Sequence, residues 1–248
     1  MANASVMSKR IETELKRSAS PERAVAEKKY LKSDLSFLGA TLGDIRRVTK
    51  QTVKSAETQD AALQREGVLA LVEELWQKPL FERRMAAVIV LEQHTDELRS
   101  ADLRLIERLI RESYTWAFVD ALAANVVGGL AVRYKIRRVL DRWSRDKDFW
   151  IRRSSLLAEL RPLKEGAPFE PFAVRAEAML EEKEFFIRKA IGWVLRETSK
   201  SRPDEVFNWI APRTDRASGV TMRETVRYLG QERSALLMDA YREHRPAK

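Results

Sequence analysis

A recurrence with a period near 35 residues constrains this chain more than any single motif. Phe81-Glu82-Arg83-Arg84, Trp150-Ile151-Arg152-Arg153 and Phe186-Ile187-Arg188-Lys189 share the order aromatic, any residue, basic, basic. Trp116 falls between the first two, so the aromatic positions are 35, 34 and 36 residues apart. The phase continues more weakly to Ile45-Arg46-Arg47 upstream and Met222-Arg223 downstream. A unit of that length with two helical segments is the mark of an α-solenoid, in which each helix pair buries its apolar face only by stacking on the next. Such stacking leaves a curved surface along one side. Alternating runs of Val, Ile, Thr and Tyr between turn signals are absent, so the expected fold class is all-α.

Local signals mark where helices begin. Ser20-Pro21 reads as an N-cap followed by a proline in the first turn. Thr41 with Asp44, and Thr221 with Glu224, have capping-box spacing and predict two further starts. Pro162, Pro168, Pro171, Pro203 and Pro212 fit joints between units. The expected organisation is a polar segment over 1–20, carrying Ile11 and Leu15 on a short helix, a repeat domain over 21–232, and a terminal helix with a basic tail over 233–248.

Charge narrows the partners. The 248 residues hold 46 Lys and Arg against 37 Asp and Glu, a formal charge of +9, which favours a polyanion. With no cysteine and only His94 and His244, material for a metal site or a His-based dyad is almost lacking, and neither metal nor cofactor is expected. No secretion signal is legible at the N-terminus. The most apolar run, residues 113–132, contains Asp120 and Asn125, so no membrane span is expected and the cytoplasm is the expected compartment.

Two stretches carry the functional argument. In residues 184–197, Ile187, Ala190, Ile191 and Val194 fall on one side of a helix. Lys189, Trp193, Arg196 and Lys200 stack on the other. This places a tryptophan among cations, either against a neighbouring helix or on a surface for a polyanion. In the second stretch, Asp120 is the only charged residue between Glu112 and Arg133, where about seven would match the chain's average. Trp116 precedes it by four residues, putting indole and carboxylate on one helical face that Ala123, Ala124 and Val127 would continue. Arg153, one repeat further on and in line with Leu156, Leu157 and Leu160, is the candidate partner for the acid.

A carboxylate beside an indole in a basic groove is suited to a cation. An N3- or N7-alkylated purine is one, with a weakened glycosidic bond, and cleavage places positive charge on the sugar that a fixed carboxylate would stabilise. Because a cationic purine leaves as a neutral base, the second carboxylate of ordinary glycosidases is not required.

With these residues assembled, the chain resembles the AlkD-like alkylpurine DNA glycosylases of the DNA alkylation repair family, which are built from HEAT-like repeats. The likeness runs over about residues 30–230. It rests on YLKSDLSFLGA, Leu75-Trp76 with FERRMAA, TWAFVD, DFWIRRSSLLAEL, EFFIRKAIGWVLRE and SGVTMRE, in that order. The resemblance implies a curved HEAT-like solenoid with a concave basic groove for duplex DNA. It implies base excision repair by hydrolysis of the N-glycosidic bond of cationic N3- or N7-alkylpurines, without flipping the base, by a monomer associated with the nucleoid. By the same match Asp120 corresponds to the catalytic Asp, Trp116 to a sugar-contacting Trp, Arg153 to an Arg beside the lesion and Trp193 to a second cleft Trp. Tyr30 corresponds to an aromatic against the DNA, and Arg161, Lys189 and Arg196 to phosphate contacts. Tyr114-Thr115 departs from the family, whose members often carry another Trp before Trp116. Two other classes remain: a non-catalytic repeat protein that binds DNA backbone or branched DNA, and a protein-binding scaffold.

Overall fold

The computed structural model describes residues 4–60 and 63–244; the first three residues of the polar segment and residues 245–248 of the basic tail lie outside the described residues. Among the described residues every named element is helical, and the sole β-type pairing is an isolated bridge between Ser36 and Leu80. The all-helical expectation holds. The chain divides into two compact units, residues 1–122 and 123–248.

The first unit contains α1 (Ala4–Arg17), α2 (Pro21–Leu31), α3 (Leu42–Asp60), α4 (Arg65–Trp76), α5 (Phe81–Gln93), α6 (Leu103–Arg111) and α7 (Trp116–Ala121). Met7, Ile11 and Leu15 recur at i, i+4 and i+8 and are buried, which is why α1 packs on α3, α4 and α5. Glu12, on the same helix, receives Lys78 at 2.7 Å and Arg83 at 2.6 Å. The hydrogen bond from Lys78, reinforced by Lys16, holds its carboxyl at about 2 instead of 4.5. Ser20 caps α2 and Pro21 opens it, and Thr41 caps α3 by accepting the Asp44 N–H at 3.1 Å, as the sequence predicts.

Between α2 and α3 the chain turns on Gly39, whose φ of +79° and position against the Ser20 carbonyl leave no room for a Cβ. The fully buried Glu82 of α5 fixes this turn, accepting the N–H groups of Leu38, Gly39 and Ala40 at 3.0, 2.7 and 3.3 Å. Burial pushes that carboxyl up, and the three amides oppose the push.

The second unit contains α8 (Gly128–Arg133), α9 (Arg137–Trp143), α10 (Phe149–Leu157), α11 (Leu160–Lys164), α12 (Glu170–Met179), α13 (Phe185–Ser199), α14 (Pro203–Ile210), α15 (Gly219–Thr225) and α16 (Gln231–Glu243). Its core gathers Leu156 and Leu157, Phe172, Ile187, Ile191 and Val194, Val206, Ile210 and Met222. The start of α15 corrects a sequence expectation. Ser218, not Thr221, is the N-cap, accepting the Thr221 N–H at 3.1 Å, so Glu224 lies in the last turn of α15 and is not half of a capping box.

The period read from the sequence reappears in the lateral hydrogen bonds. In the first unit, Arg65–Asp102, Trp76–Glu112 and Arg108–Glu73 join residues 35 to 37 apart. In the second, Arg175–Asp141, Lys189–Glu224, Arg202 to the Ala167 carbonyl and Arg216–Glu181 join residues 34 or 35 apart. Equivalent helices of successive repeats therefore stand side by side within each unit, the defining geometry of a helical-repeat stack.

Candidate nucleic-acid interface

The aromatic of the repeat motif lies in the first turn of a helix each time, at Phe81, Trp116, Trp150 and Phe186, but the arginines that follow it turn back onto the chain, while Lys189 stays half exposed. Arg83, 2% exposed, donates to the carbonyls of Glu74 and Leu75 at the end of α4. Arg84 donates to the Glu112 carbonyl beyond α6 at 2.7 Å and lies 4.9 Å from the Trp76 ring. Arg152 and Arg188 likewise donate to carbonyls, of Asp146 and Glu182. The repeated cations satisfy the unpaired carbonyls that every helix end exposes. They are internal caps.

Tyr30, Trp116 and Asp120 belong to the first unit. Trp116 is the first residue of α7, half-buried, and the ring of Tyr30 meets it edge-on with centroids 5.7 Å apart and planes at 86°. Tyr30 is 71% exposed and lies at the basic C-terminal end of α2 beside Lys28 and Lys29. Thr115 holds the start of α7, its hydroxyl accepting the Ala117 N–H at 3.4 Å. Before it Tyr114 takes a left-handed conformation, φ +50°, rare for a bulky residue, and its ring is exposed. Asp120, half-buried, follows Trp116 by one α-helical turn, so ring and carboxylate share a face. Residues Leu122–Val127 then form a π-helical turn, so the α-helical spacing read from the sequence for Ala123, Ala124 and Val127 gives way to a wider winding.

Arg153, Arg161, Lys189, Trp193 and Arg196 belong to the second unit. Arg153 is buried; it donates to the Phe186 carbonyl and lies 5.6 Å from the Phe186 ring. Trp193 is half-buried against the core and lines an open cleft of about 780 Å³ with Asn125, Arg161, Lys164, Glu197 and Lys200. Arg161 is exposed and pairs with Glu165 at 2.9 Å. Among the described residues no group of three or more His, Cys, Asp or Glu is placed to hold a metal ion.

Lys189 and Arg196 carry the feature that sequence reasoning missed. Both bind Glu224 of α15, Lys189 at 2.7 Å, and Arg227 approaches the same carboxylate at 3.6 Å. Glu224 is 4% exposed. Burial raises its pKa, but the Lys189 hydrogen bond and the charges of Arg196, Lys189 and Arg227 outweigh that and hold it below the usual carboxylate range. Gly192 makes the approach possible, since a Cβ there would meet the Glu224 Cβ at 2.7 Å. The signal was in the sequence as a glycine in the middle of a strong helix. Lys200 is also engaged, with Glu197 at 2.6 Å and over the Tyr228 ring at 4.7 Å. The cations around Trp193 are therefore largely compensated from within.

Fold and side chains together define an all-helical repeat protein with an aromatic–acid pair at the head of one repeat helix and, in its second unit, a cleft where Trp193 stands among ion-paired cations. A family model described as DNA alkylation repair enzyme matches residues 11–229, and the chain belongs to that family. Its place is therefore in the repair of alkylated DNA, with DNA as partner. A predicted DNA alkylation repair enzyme from Enterococcus faecalis has a similar structure, TM-score 0.76 at 24% identity, over 86% of this chain and 98% of that one. The smu.31 protein of Streptococcus mutans UA159 is more distant, TM-score 0.55 at 17% identity, over 76% of this chain and 99% of that one. No curated protein matches the chain.

Proposed function

We propose that the chain is a monofunctional DNA glycosylase that hydrolyses the N-glycosidic bond of N3- or N7-alkylated purines in duplex DNA. The observation that carries this reading is the first turn of α7, where Trp116 and Asp120 share a face and Tyr30 braces the indole. An alkylated purine already bears a positive charge. When its bond to C1′ breaks, the electron pair goes to the purine, which departs neutral, and the sugar becomes an oxocarbenium ion. Asp120 stabilises that cation electrostatically, and the face of Trp116 adds a cation–π contribution that grows as the sugar charge develops. Water then bonds to C1′ and releases its proton to solvent, leaving an abasic site. No acid is needed for the leaving group, and a base that departs this readily need not be flipped into a pocket.

Arg153 and Trp193 join this machinery by family likeness, and Tyr30, Arg161, Lys189 and Arg196 contact the duplex in the same reading. The ion pairs of Lys189 and Arg196 with Glu224 offset much of the charge that those two cations bring to the duplex.

Asp120→Asn tests the proposal because it keeps the shape and removes the charge. Single-turnover release of 7-methylguanine should fall by about 10²–10³, the usual worth of one preorganised electrostatic group, while duplex affinity holds or rises. A variant with wild-type melting and near-normal excision would sink the assignment. If wild type itself releases no methylated purine yet binds duplex, the chain is a non-catalytic DNA-binding member.

A further inference from the structure

From Arg133 to Lys147 the chain carries seven cations, Arg133, Lys135, Arg137, Arg138, Arg142, Arg145 and Lys147, against two acids, Asp141 and Asp146. All seven are exposed. The stretch centres on α9, and its pattern is two stripes. Ile136, Leu140 and Trp143, spaced i, i+4 and i+7, are buried, and α9 packs on α10. Arg138 and Arg142 lie two residues later than Ile136 and Leu140, about 200° round the helix and so facing away, and Arg145 is exposed in the turn that follows.

An exposed basic stripe is usually a solvated face laced with acids, as at Arg17–Glu14, Arg161–Glu165 and Arg242–Asp239 elsewhere in the chain. Here the two acids already serve other residues of the chain. Asp141 is held at 2.6 Å by the buried Arg175 and lies 3.8 Å from Arg137, and Asp146 accepts the Asp148 N–H at 2.9 Å in the turn before α10. Asp148 in turn caps α10 by accepting the Trp150 N–H. Arg137 spans to Glu170 at 3.3 Å. Lys135, Arg138, Arg145 and Lys147 have no ion pair among the described residues.

The chemistry of the face selects its partner. A membrane surface calls for exposed Trp, Phe or Leu among the cations, and a protein interface for a central aromatic or aliphatic anchor. On α9 the large apolar side chains are all turned inward, leaving charge alone, and what binds to charge alone at this density is a phosphodiester backbone. We propose that Lys135, Arg138, Arg145 and Lys147 form a second nucleic-acid surface, which grips an undamaged duplex segment while the glycosylase residues work on another. It requires none of the residues given to the glycosylase reading. A protein with two such surfaces passes between duplex segments without releasing into bulk solvent, a route for searching a large excess of undamaged DNA.

The test uses the full chain and short undamaged duplexes in two colours, each too short to wrap from one surface to another. Wild type should bring two colours together in a resonance-energy-transfer assay at low salt. Neutralising all four positions (K135Q, R138Q, R145Q, K147Q) should reduce that bridging at least about tenfold and flatten the log–log salt dependence of binding by about one unit per lost contact. Its melting temperature and single-turnover excision should stay at wild type. The pair R138K with R145K keeps the charge and should keep the bridging, which guards against a folding artefact in the multiple variant. Unchanged bridging in the neutral variant, or one duplex per wild-type molecule at saturation, overturns the proposal. So does preferential capture of anionic vesicles or acidic peptides by the same four residues. Undamaged DNA is the probe, so an absence of excision by wild type would remove the glycosylase reading and leave this result untouched.

Discussion

Helices α9 and α13 of the second unit each turn a cationic face away from an apolar one, and they treat that charge in opposite ways. On α13 the cations close on acids supplied by the fold, Lys189 and Arg196 on Glu224 and Lys200 on Glu197. On α9 the single acid, Asp141, is shared between the buried Arg175 and Arg137, which leaves Arg138 without one. A formal charge of +9 is therefore a poor guide to where a polyanion sits. Compensation, residue by residue, locates it, and the motif arginines that contribute most visibly to the basic composition are spent on helix ends.

The largest effect that sharpens this contrast is expected at Arg175. Its guanidinium is buried and also pairs with Glu159, so Arg175→Ala should cost about 3–5 kcal/mol in chemical denaturation. It would also release Asp141 from its buried partner to pair with the α9 cations, so the folded fraction should bind duplex with a shallower salt dependence. Next is Glu224→Gln, which relaxes the clamp on α13. Stability should fall by about 2 kcal/mol while low-salt DNA affinity rises several-fold, an opposite movement that titration and melting on one preparation would reveal. A parallel loss of both would mean that Glu224 positions the cations for DNA instead of restraining them.

Acid provides a third handle. Glu197 and Glu224 are both held below the usual carboxylate range, so their contribution is complete above that range and is lost as pH falls through their folded values. Glu12, at about 2 in the fold, adds of the order of 1 kcal/mol that disappears between about 4.5 and 2, after discounting for solvent screening. Melting temperature followed downward from neutral pH should decline over that window, and Glu12→Gln should flatten part of the decline. The smallest contrast is between single cations. Arg138→Gln should lower the salt slope by about one, and Lys189→Ala by well under one because its charge is already shared with Glu224. Equal slopes would break the comparison.

Much of this architecture was legible because the relevant signals are local. Ser20-Pro21 and Thr41 with Asp44 mark helix starts within one turn of sequence, and the spaced aromatics mark the repeat. The Trp116–Asp120 face was legible for the same reason, both residues lying in one α-helical turn. What escaped depended on distant or competing groups. Thr221 with Glu224 has capping-box spacing, yet Ser218 lies three residues earlier and captures the Thr221 amide, freeing Glu224 for α13. The π-helical turn after Asp120 left no composition signal, because alanines and valines suit either winding. The inward course of Arg83, Arg84 and Arg152 depends on carbonyls at helix ends that a one-dimensional pattern does not place.

The lateral bonds between residues about one repeat apart impose a rule on how such a chain can change length. Arg175 to Asp141, Arg202 to Ala167 and Arg216 to Glu181 each reach back by one repeat within the second unit, so they work like teeth on a rack with a fixed pitch. A few residues inserted inside a repeat helix would put several teeth out of mesh at once, whereas a whole repeat added or removed would let every tooth find an equivalent partner. Two of the three bonds sit in turns, Arg202 with Ala167 and Arg216 with Glu181, so the turns are held to the same pitch as the helices and a change of length that keeps every tooth in mesh comes in whole repeats.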